Sequence, residues 1–182
     1  MASRAVSAPL AQLPNVLTVA RLCLVPIFVA LLLSADGGSS WAAAIVFGVA
    51  GVTDQVDGFL ARRWHVESAF GKFADPLADR LMIDAAVILL VLADRLPWVA
   101  LAIPARDVVA LAATPLVLGR GYEFRVNLLG KIATWLLYAS LAFVMCTHSG
   151  SQWPLWIFWA GVGIAVVSFG QDAVKAREEV AR

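Results

Sequence analysis

The chain has 182 residues and a formal net charge of +1, and 61% of its residues are hydrophobic. Its mean hydropathy of +0.82 is far above that of a soluble domain of this length. These values exclude an ordinary soluble domain and predict an all-α integral membrane protein. We expect no nucleic acid among its partners.

Six stretches of the chain are long and apolar enough to be membrane-spanning helices, each of which needs roughly 20 apolar residues. The predicted spans are approximately Leu13–Leu33, Trp41–Arg62, Phe70–Ala93, Pro97–Leu118, Asn127–Thr147 and Trp153–Ala173. The connections between them are short. The sequence therefore predicts a six-transmembrane-helix bundle that forms a single membrane domain over residues 1–182.

Basic residues gather on one side of this bundle. With six spans, both termini and the loops after spans two and four share a side, and they carry Arg4, Arg62, Arg63, Arg120, Arg125, Lys175, Arg177 and Arg182. The loops on the other side offer only Arg95. Because loops rich in Lys and Arg stay inside the cell, we expect a multi-pass protein of the cell membrane with both termini in the cytoplasm.

Four acids interrupt the apolar pattern where span two ends and span three begins: Asp54, Asp57, Asp75 and Asp79. Carboxylates are costly inside a bilayer, so such a group requires a cation or a reaction to explain it. The charge census places all four in the cytoplasmic half of the membrane, where we expect the site to face the cytoplasm.

Helical spacing brings these acids onto two faces that can meet. With ~100° per residue, Asp54 and Asp57 share an arc of roughly 140° with Gly58, Ala61 and Arg62. In the next helix Gly71, Asp75 and Asp79 are spaced i, i+4, i+8 and form one stripe. The loop between the two helices is short, which predicts antiparallel neighbours with facing stripes.

Converging carboxylates repel one another unless cations neutralise them. Oxygen ligands suit Mg²⁺ or Mn²⁺, and two such ions roughly 3.5 to 4 Å apart can clamp a pyrophosphate. Gly58, Gly71 and Ala61 leave room for a ligand, and Arg62 is a charge-assisted partner for phosphate oxygens. The acids thus favour two divalent metal ions. Close helix packing remains an alternative for each small residue taken singly.

The fixed positions from Asp54 to Asp79 read D-x2-D-G-x2-A-R-x8-G-x3-D-x3-D. This pattern resembles the signature of the CDP-alcohol phosphotransferases, a family with a six-helix membrane fold. The resemblance implies transfer of a substituted phosphate from a CDP-linked donor to an alcohol, with release of CMP. It implies that Asp54, Asp57 and Asp75 are metal ligands and that Asp79 completes the metal site and acts as general base. Residues implied to line the CDP pocket are Asp57, Gly58, Ala61, Arg62 and Gly71.

The first helix begins with the segment Leu13-Pro14-Asn15-Val16-Leu17-Thr18-Val19-Ala20-Arg21. This segment is similar to the opening helix of the branch that makes phosphatidylglycerophosphate and cardiolipin. The resemblance implies CDP-diacylglycerol as the donor and a glycerol-type alcohol as the acceptor. Asn15 and Thr18, three residues apart, are candidates to face the nucleotide, although Asn15 also fits an ordinary helix cap.

Candidate acceptor residues lie outside the signature. Arg106 falls within span four, and Lys131 lies about one turn into span five, where it can contact an acceptor phosphate or reach back to the interface. Arg106 can instead pair with Asp107, Asp84 or a site carboxylate. Arg120 and Arg125 lie in the adjoining loop.

Relatives that use glycerol 3-phosphate commonly carry Ala-Arg-Glu in helix four and Gly-Lys-x-Lys-Thr in helix five. Here these segments read Ala105-Arg106-Asp107 and Gly130-Lys131-Ile132-Ala133-Thr134, so Ala133 replaces the second lysine. A phosphomonoester needs more positive charge than the phosphodiester of phosphatidylglycerol. We expect glycerol 3-phosphate as acceptor, giving phosphatidylglycerophosphate, and the lost lysine keeps cardiolipin synthesis from phosphatidylglycerol open.

Two further interpretations belong to other classes. Intramembrane acids also occur in divalent-cation transporters, but those sites lie near the midplane, whereas these acids lie at the cytoplasmic helix ends. Gly161, Gly163 and Gly170 in the last span are candidates for a helix contact surface, which is compatible with a homodimeric enzyme.

Overall fold

The computed structural model describes the backbone of residues 13–64, 69–109 and 128–180 and the side chains of residues 16–53, 80–109 and 128–171. Within these ranges the chain is helical apart from short turns, and no strand occurs among the described residues. The predicted all-α class is confirmed.

The helices follow the predicted spans closely. They are α1 (Leu13–Leu33), α2 (Trp41–Trp64), α3 (Ala69–Leu92), α4 (residues 102–109), α5 (Leu128–Cys146) and α6 (Trp153–Val180). Short 3₁₀ helices occupy Asp36–Gly38 and Trp98–Leu101, and α4 continues the second of them. The predicted bounds lie within two residues of the observed ones for α1, α2, α3 and α5, whereas α6 runs past Ala173. The end of predicted span four lies outside the described residues.

Three helices are long and apolar enough to cross a membrane within the described part of the chain. They cover Val16–Leu33, Leu128–Cys146 and Trp153–Gln171. In α2 a shorter apolar stretch covers Trp41–Thr53 before the acids begin. The chain is therefore a membrane protein, while the count of six crossings stays a prediction.

The helices alternate in direction, so the bundle has two ends. The motif end comprises the first residues of α1, α3 and α5 and the last residues of α2, and the far end is the opposite one. Of the six exposed tryptophans in the described part of the chain, four lie at or near the far end: Trp41, Trp98, Trp153 and Trp156. Tryptophan is enriched where helices leave the hydrocarbon, which agrees with a membrane boundary at the far end.

Each helix buries one stripe at helical spacing. Phe28 of α1, Phe47 of α2 and Tyr138 of α5 stack in the centre, with ring centroids 5.5 Å and 4.9 Å apart along the series. Around them α3 contributes Met82, Ile83, Ala86, Val87 and Leu90. The core therefore joins α1, α2, α3 and α5, and α6 packs mainly on α5.

Hydrogen bonds from Arg95 join three segments of the chain at the far end. Its guanidinium donates hydrogen bonds to the backbone carbonyls of Gly37 at 3.2 Å, Val144 at 2.5 Å and Thr147 at 2.7 Å. Burial lowers the pKa of Arg95, but an arginine stays protonated at any physiological pH. A permanent cation thus links the turns after α1, α3 and α5.

The glycines of α6 do not form the single contact surface that the sequence suggested. A Cβ atom on Gly161 would lie 3.1 Å from the Cβ of Leu136, so Gly161 is used for packing against α5. Gly163 and Gly170 are exposed, and a Cβ on either would meet nothing within 4 Å. Gly161 therefore does not share a surface with Gly163 and Gly170, whereas a contact surface formed by those two exposed glycines stays a prediction.

Candidate functional site

The aromatic stack sets the relative height of three helices. Phe28, Phe47 and Tyr138 lie at one level in the bundle. Because a helix rises ~1.5 Å per residue, seven residues further toward the motif end correspond to about 10 Å. At that shared level lie Arg21 of α1, Asp54 of α2 and Lys131 of α5.

The four motif acids continue the buried stripes of α2 and α3. In α2 the buried positions include Ala43, Phe47 and Ala50, and steps of four and three residues lead on to Asp54 and Asp57. In α3 the buried positions include Leu90, Ala86 and Ile83, and two further steps of four residues lead to Asp79 and Asp75. Helical periodicity therefore favours an inward position for all four.

Most of the predicted site lies where only the backbone is described. These residues are helical, and their side chains lie outside the described ones: Asn15, Asp54, Asp57, Gly58, Ala61, Arg62, Gly71, Asp75 and Asp79. Arg120 and Arg125 lie outside the described residues. The ligand set and the CDP pocket thus stay predictions.

Thr18 and Arg21 form the described polar part of α1. Each is 1% exposed, and the two are three residues apart on the side of α1 that packs against α2 and α3. The inward position expected for Thr18 is therefore observed. Arg21 was not selected as a site residue, although an arginine one turn after Thr18 inside an apolar span is a signal that points to it.

Arg106 pairs with its neighbour Asp107. The Nε and Nη2 atoms of Arg106 lie 2.9 Å and 2.7 Å from Oδ1 of Asp107. The same oxygen accepts a hydrogen bond from Nη1 of Arg80 on α3, at 3.1 Å. The ion pair considered as an alternative role for Arg106 is thus present, and Arg80 is its third member.

The three side chains differ in their exposure. The Asp107 side chain is 7% exposed, whereas those of Arg80 and Arg106 are 43% and 53% exposed. Two guanidinium groups and one carboxylate leave a local charge of +1. The buried acid therefore anchors two cations whose outer faces are free to contact a ligand.

Lys131 and Ala133 separate onto different faces of α5. Lys131 is exposed, and it lies two turns from Tyr138 on nearly the same side of the helix. Ala133 is 2% exposed and is enclosed by the bundle. The position that carries a second lysine in the pattern of glycerol 3-phosphate enzymes is therefore buried here.

An apolar groove runs between α2 and α5. Its volume is about 140 Å³, and its lining includes Gly48, Gly51, Val52, Trp135, Tyr138 and Ala142. The groove ends at Val52, two residues before Asp54. It therefore leads from the level of the acids toward the far end.

Comparisons with known proteins bear on this arrangement. A family model described as CDP-alcohol phosphatidyltransferase matches residues 11–167, which include all four motif acids. A CDP-diacylglycerol–glycerol-3-phosphate 3-phosphatidyltransferase of Bacillus subtilis (strain 168) is 36% identical over 167 residues, covering 80% of this chain and 86% of the relative. The protein of the same name from Escherichia coli (strain K12) is 34% identical over 162 residues, covering 86% of each chain.

Proposed function

Because this chain belongs to the CDP-alcohol phosphatidyltransferase family, we propose that it transfers the phosphatidyl group of CDP-diacylglycerol to glycerol 3-phosphate. The products are phosphatidylglycerophosphate and CMP. One observation carries the choice of acceptor: similarity over most of both chains to relatives named for this reaction. Cardiolipin synthesis from phosphatidylglycerol, which the sequence pattern left open, is the less favoured reaction.

The four motif acids offer ligand atoms that suit two divalent cations. Asp54 and Asp57 on α2 and Asp75 and Asp79 on α3 continue the buried stripes of their helices, and carboxylate oxygens are ligands that Mg²⁺ and Mn²⁺ prefer. When bound, such ions neutralise a pyrophosphate and polarise its phosphorus. We assign the four acids to this role.

Asp79 is the proposed general base. It takes the proton of the acceptor hydroxyl as that oxygen attacks the phosphorus of the phosphatidyl group. The bond from phosphorus to the bridging oxygen of the pyrophosphate breaks, and CMP leaves with the electron pair. No covalent enzyme intermediate is required, because the acceptor oxygen attacks directly.

The nucleotide pocket is proposed to lie between α1 and the acids. Arg62 binds phosphate oxygens, and the small side chains leave room for the cytidine. The proposed pocket comprises Asn15, Thr18, Asp57, Gly58, Ala61, Arg62 and Gly71. Burial of Thr18 on the side of α1 that packs against α2 and α3 supports this proposal.

The acceptor is proposed to bind at the same end of the bundle. Lys131 lies level with Asp54 by the helix register, and it is exposed. Arg106 is also exposed beyond its pair with Asp107. Two exposed cations suit a phosphomonoester acceptor, and we propose that the site opens to the cytoplasm, where glycerol 3-phosphate is dissolved.

We further propose that one acyl chain of CDP-diacylglycerol lies in the groove between α2 and α5. The groove is apolar and begins at Val52, two residues before Asp54, where the donor's phosphates would be held. An acyl chain attached there would run toward the far end without leaving the hydrocarbon. This arrangement would keep the nucleotide at the membrane surface and the chains in lipid.

The test supplies the purified protein with CDP-diacylglycerol, Mg²⁺ or Mn²⁺, and one labelled acceptor at a time. We expect labelled glycerol 3-phosphate to enter phosphatidylglycerophosphate at a rate well above the incorporation of labelled phosphatidylglycerol into cardiolipin. Preferential formation of cardiolipin would contradict the proposed acceptor. Absence of product with either acceptor would contradict the glycerol branch altogether.

A further inference from the structure

A buried carboxylate of α4 collects two guanidinium groups next to the last acid of the motif. Oδ1 of Asp107 accepts hydrogen bonds from Arg80 of α3 and from Arg106 of α4. We propose that Arg80 and Arg106 together bind the phosphate of the acceptor and that Asp107 is the positioning residue that holds them side by side. The proposal rests on the proposed function, because it takes glycerol 3-phosphate as the acceptor.

The geometry brings the two cations close together. Arg80 and Arg106 each place a nitrogen within 3.1 Å of one oxygen atom. Consecutive residues of a helix do not face each other, so Arg106 must bend back toward Asp107 to make this contact. Two like charges would otherwise repel, and the carboxylate between them offsets that repulsion. The pairing therefore requires Asp107.

Exposure leaves both guanidinium groups able to bind a ligand. The Arg80 and Arg106 side chains are 43% and 53% exposed, whereas that of Asp107 is 7% exposed. A guanidinium carries five N–H donors, and the bonds to Asp107 use only some of them. The remaining donors suit the oxygens of a phosphate, which arginine binds with directed, charge-assisted hydrogen bonds.

The position of Arg80 agrees with the reaction. It directly follows Asp79 on α3, and successive side chains diverge by ~100° around a helix. In glycerol 3-phosphate the reacting hydroxyl and the phosphate are on opposite ends of a three-carbon backbone. A phosphate bound by Arg80 and Arg106 would therefore leave the hydroxyl end free to approach Asp79.

Arg80 also supplies a positive charge that compensates for the lysine replaced by Ala133. Alanine carries no charge, and Lys131, on a different face, is the only basic residue of α5. With Arg106 and Lys131 alone, a phosphomonoester dianion would meet two positive charges, one of them partly offset by Asp107. Arg80 adds a second guanidinium beside Arg106, and this extra charge favours a phosphomonoester over the singly charged phosphodiester of phosphatidylglycerol.

Steady-state kinetics of Arg80→Gln test the proposal in the full-length protein. We expect the KM for glycerol 3-phosphate to rise by about tenfold or more, as the loss of one charge-assisted contact predicts. The KM for CDP-diacylglycerol should change less than about twofold, and the Ki of inorganic phosphate as a competitor should rise in parallel. An unchanged KM for glycerol 3-phosphate would overturn the proposal.

Asp107→Asn and Asp107→Glu separate positioning from general stability. The amide keeps the size of the side chain but loses its charge, so the KM for glycerol 3-phosphate and the Ki of phosphate should both rise, and glutamate should restore part of the loss. Arg95→Gln is the matched control, because it removes a guanidinium at the far end and should leave both constants unchanged. Equal changes in Arg95→Gln and Arg80→Gln would contradict a phosphate site.

Failure of this proposal can be distinguished from failure of the proposed function. If the wild-type protein forms no phosphatidylglycerophosphate, the proposed function fails. If it does so while Arg80→Gln and Asp107→Asn keep the wild-type KM, only the phosphate site fails. Should either variant not accumulate in the membrane, Arg80→Lys keeps the charge, and we expect it to raise the KM for glycerol 3-phosphate less than loss of the cation would.

Discussion

Asp79 is the motif acid farthest along α3 from the motif end, one turn beyond Asp75. It directly precedes Arg80, which donates a hydrogen bond to Asp107. Its helical position continues the buried stripe formed by Ile83 and Ala86. At this depth an acceptor that enters from the motif end can meet a carboxylate. The placement agrees with the role of general base that the family resemblance implies for Asp79.

Asp79→Asn should therefore lower kcat by a factor on the order of 10² to 10⁴, the usual contribution of a general base. An amide keeps the shape of the side chain and still offers one oxygen, so binding of CDP-diacylglycerol should remain within a few-fold of wild type. CMP release and equilibrium binding of the donor measure the two quantities. Normal turnover in this variant would exclude Asp79 as the required base.

At the scale of helices, the approach of α2 to α5 depends on a glycine. A Cβ on Gly51 would lie 2.9 Å from the ring of Tyr138, so any side chain there must displace the ring. A Cβ on Gly48, one turn earlier on α2, would meet nothing within 4 Å. Gly48 and Gly51 therefore form a matched pair. They test whether close packing of α2 on α5 holds Asp54 and Lys131 at the same height in the bundle.

Gly51→Ala should lower the free energy of unfolding by about 1 to 3 kcal/mol, the usual cost of overpacking a core. Gly48→Ala should leave it unchanged or raise it by up to about 1 kcal/mol, because alanine is the better helix former. Thermal unfolding in detergent measures both. Equal stability of the two variants would contradict the close contact between Gly51 and Tyr138.

The turn between α1 and α2 provides a second matched pair. Gly37 and Gly38 both have positive φ, at 58° and 68°. A Cβ on Gly38 would also lie 2.7 Å from the Cβ of Ala93, whereas a Cβ on Gly37 would meet nothing within 4 Å. Of these two positions, Gly38 is the one where a substituted side chain would cause both backbone strain and a steric clash.

Gly37→Ala should cost about 1 kcal/mol of stability, the penalty of a left-handed conformation for alanine. Gly38→Ala should cost more, because α3 must also move away from the turn. Unfolding of the two variants under the same conditions makes the comparison. A larger loss for Gly37→Ala would show that the contact with Ala93 is unimportant.

The groove between α2 and α5 makes a prediction about donor chain length. Gly48→Phe would fill part of the groove, whose volume is about 140 Å³. The Cβ atom of the new side chain would meet no atom within 4 Å. The KM for CDP-diacylglycerol with long acyl chains should rise several-fold, while a short-chain donor should be unaffected. A variant that treats both donors as wild type does would indicate that the groove holds ordinary membrane lipid.

At the scale of the whole molecule, the sequence predicted the helices better than their contacts. Apolar runs bounded by turn residues predicted α1, α2, α3 and α5 to within two residues, because membrane spans have a characteristic length. The motif residues were selected by residue type and spacing, and their side chains lie outside the described ones. The family to which they point is confirmed by the match over residues 11–167.

The contacts between distant residues could not be predicted in the same way. Asp107 accepts hydrogen bonds from Arg80, 27 positions away, and periodicity does not indicate which helices are neighbours. The burial of Arg21 and the packing of Gly161 against Leu136 likewise depend on which face of a helix meets a partner. Sequence spacing fixes faces within one helix, whereas tertiary packing decides what each face touches.

Release of CMP by the purified wild-type protein, measured with and without glycerol 3-phosphate, tests the central claim most directly. With CDP-diacylglycerol and a divalent cation present, we predict CMP release that depends on added glycerol 3-phosphate, with one phosphatidylglycerophosphate formed for each CMP. Absence of CMP release when glycerol 3-phosphate is added, or equal release without any acceptor, would contradict the assignment of this chain as a phosphatidyltransferase that uses glycerol 3-phosphate.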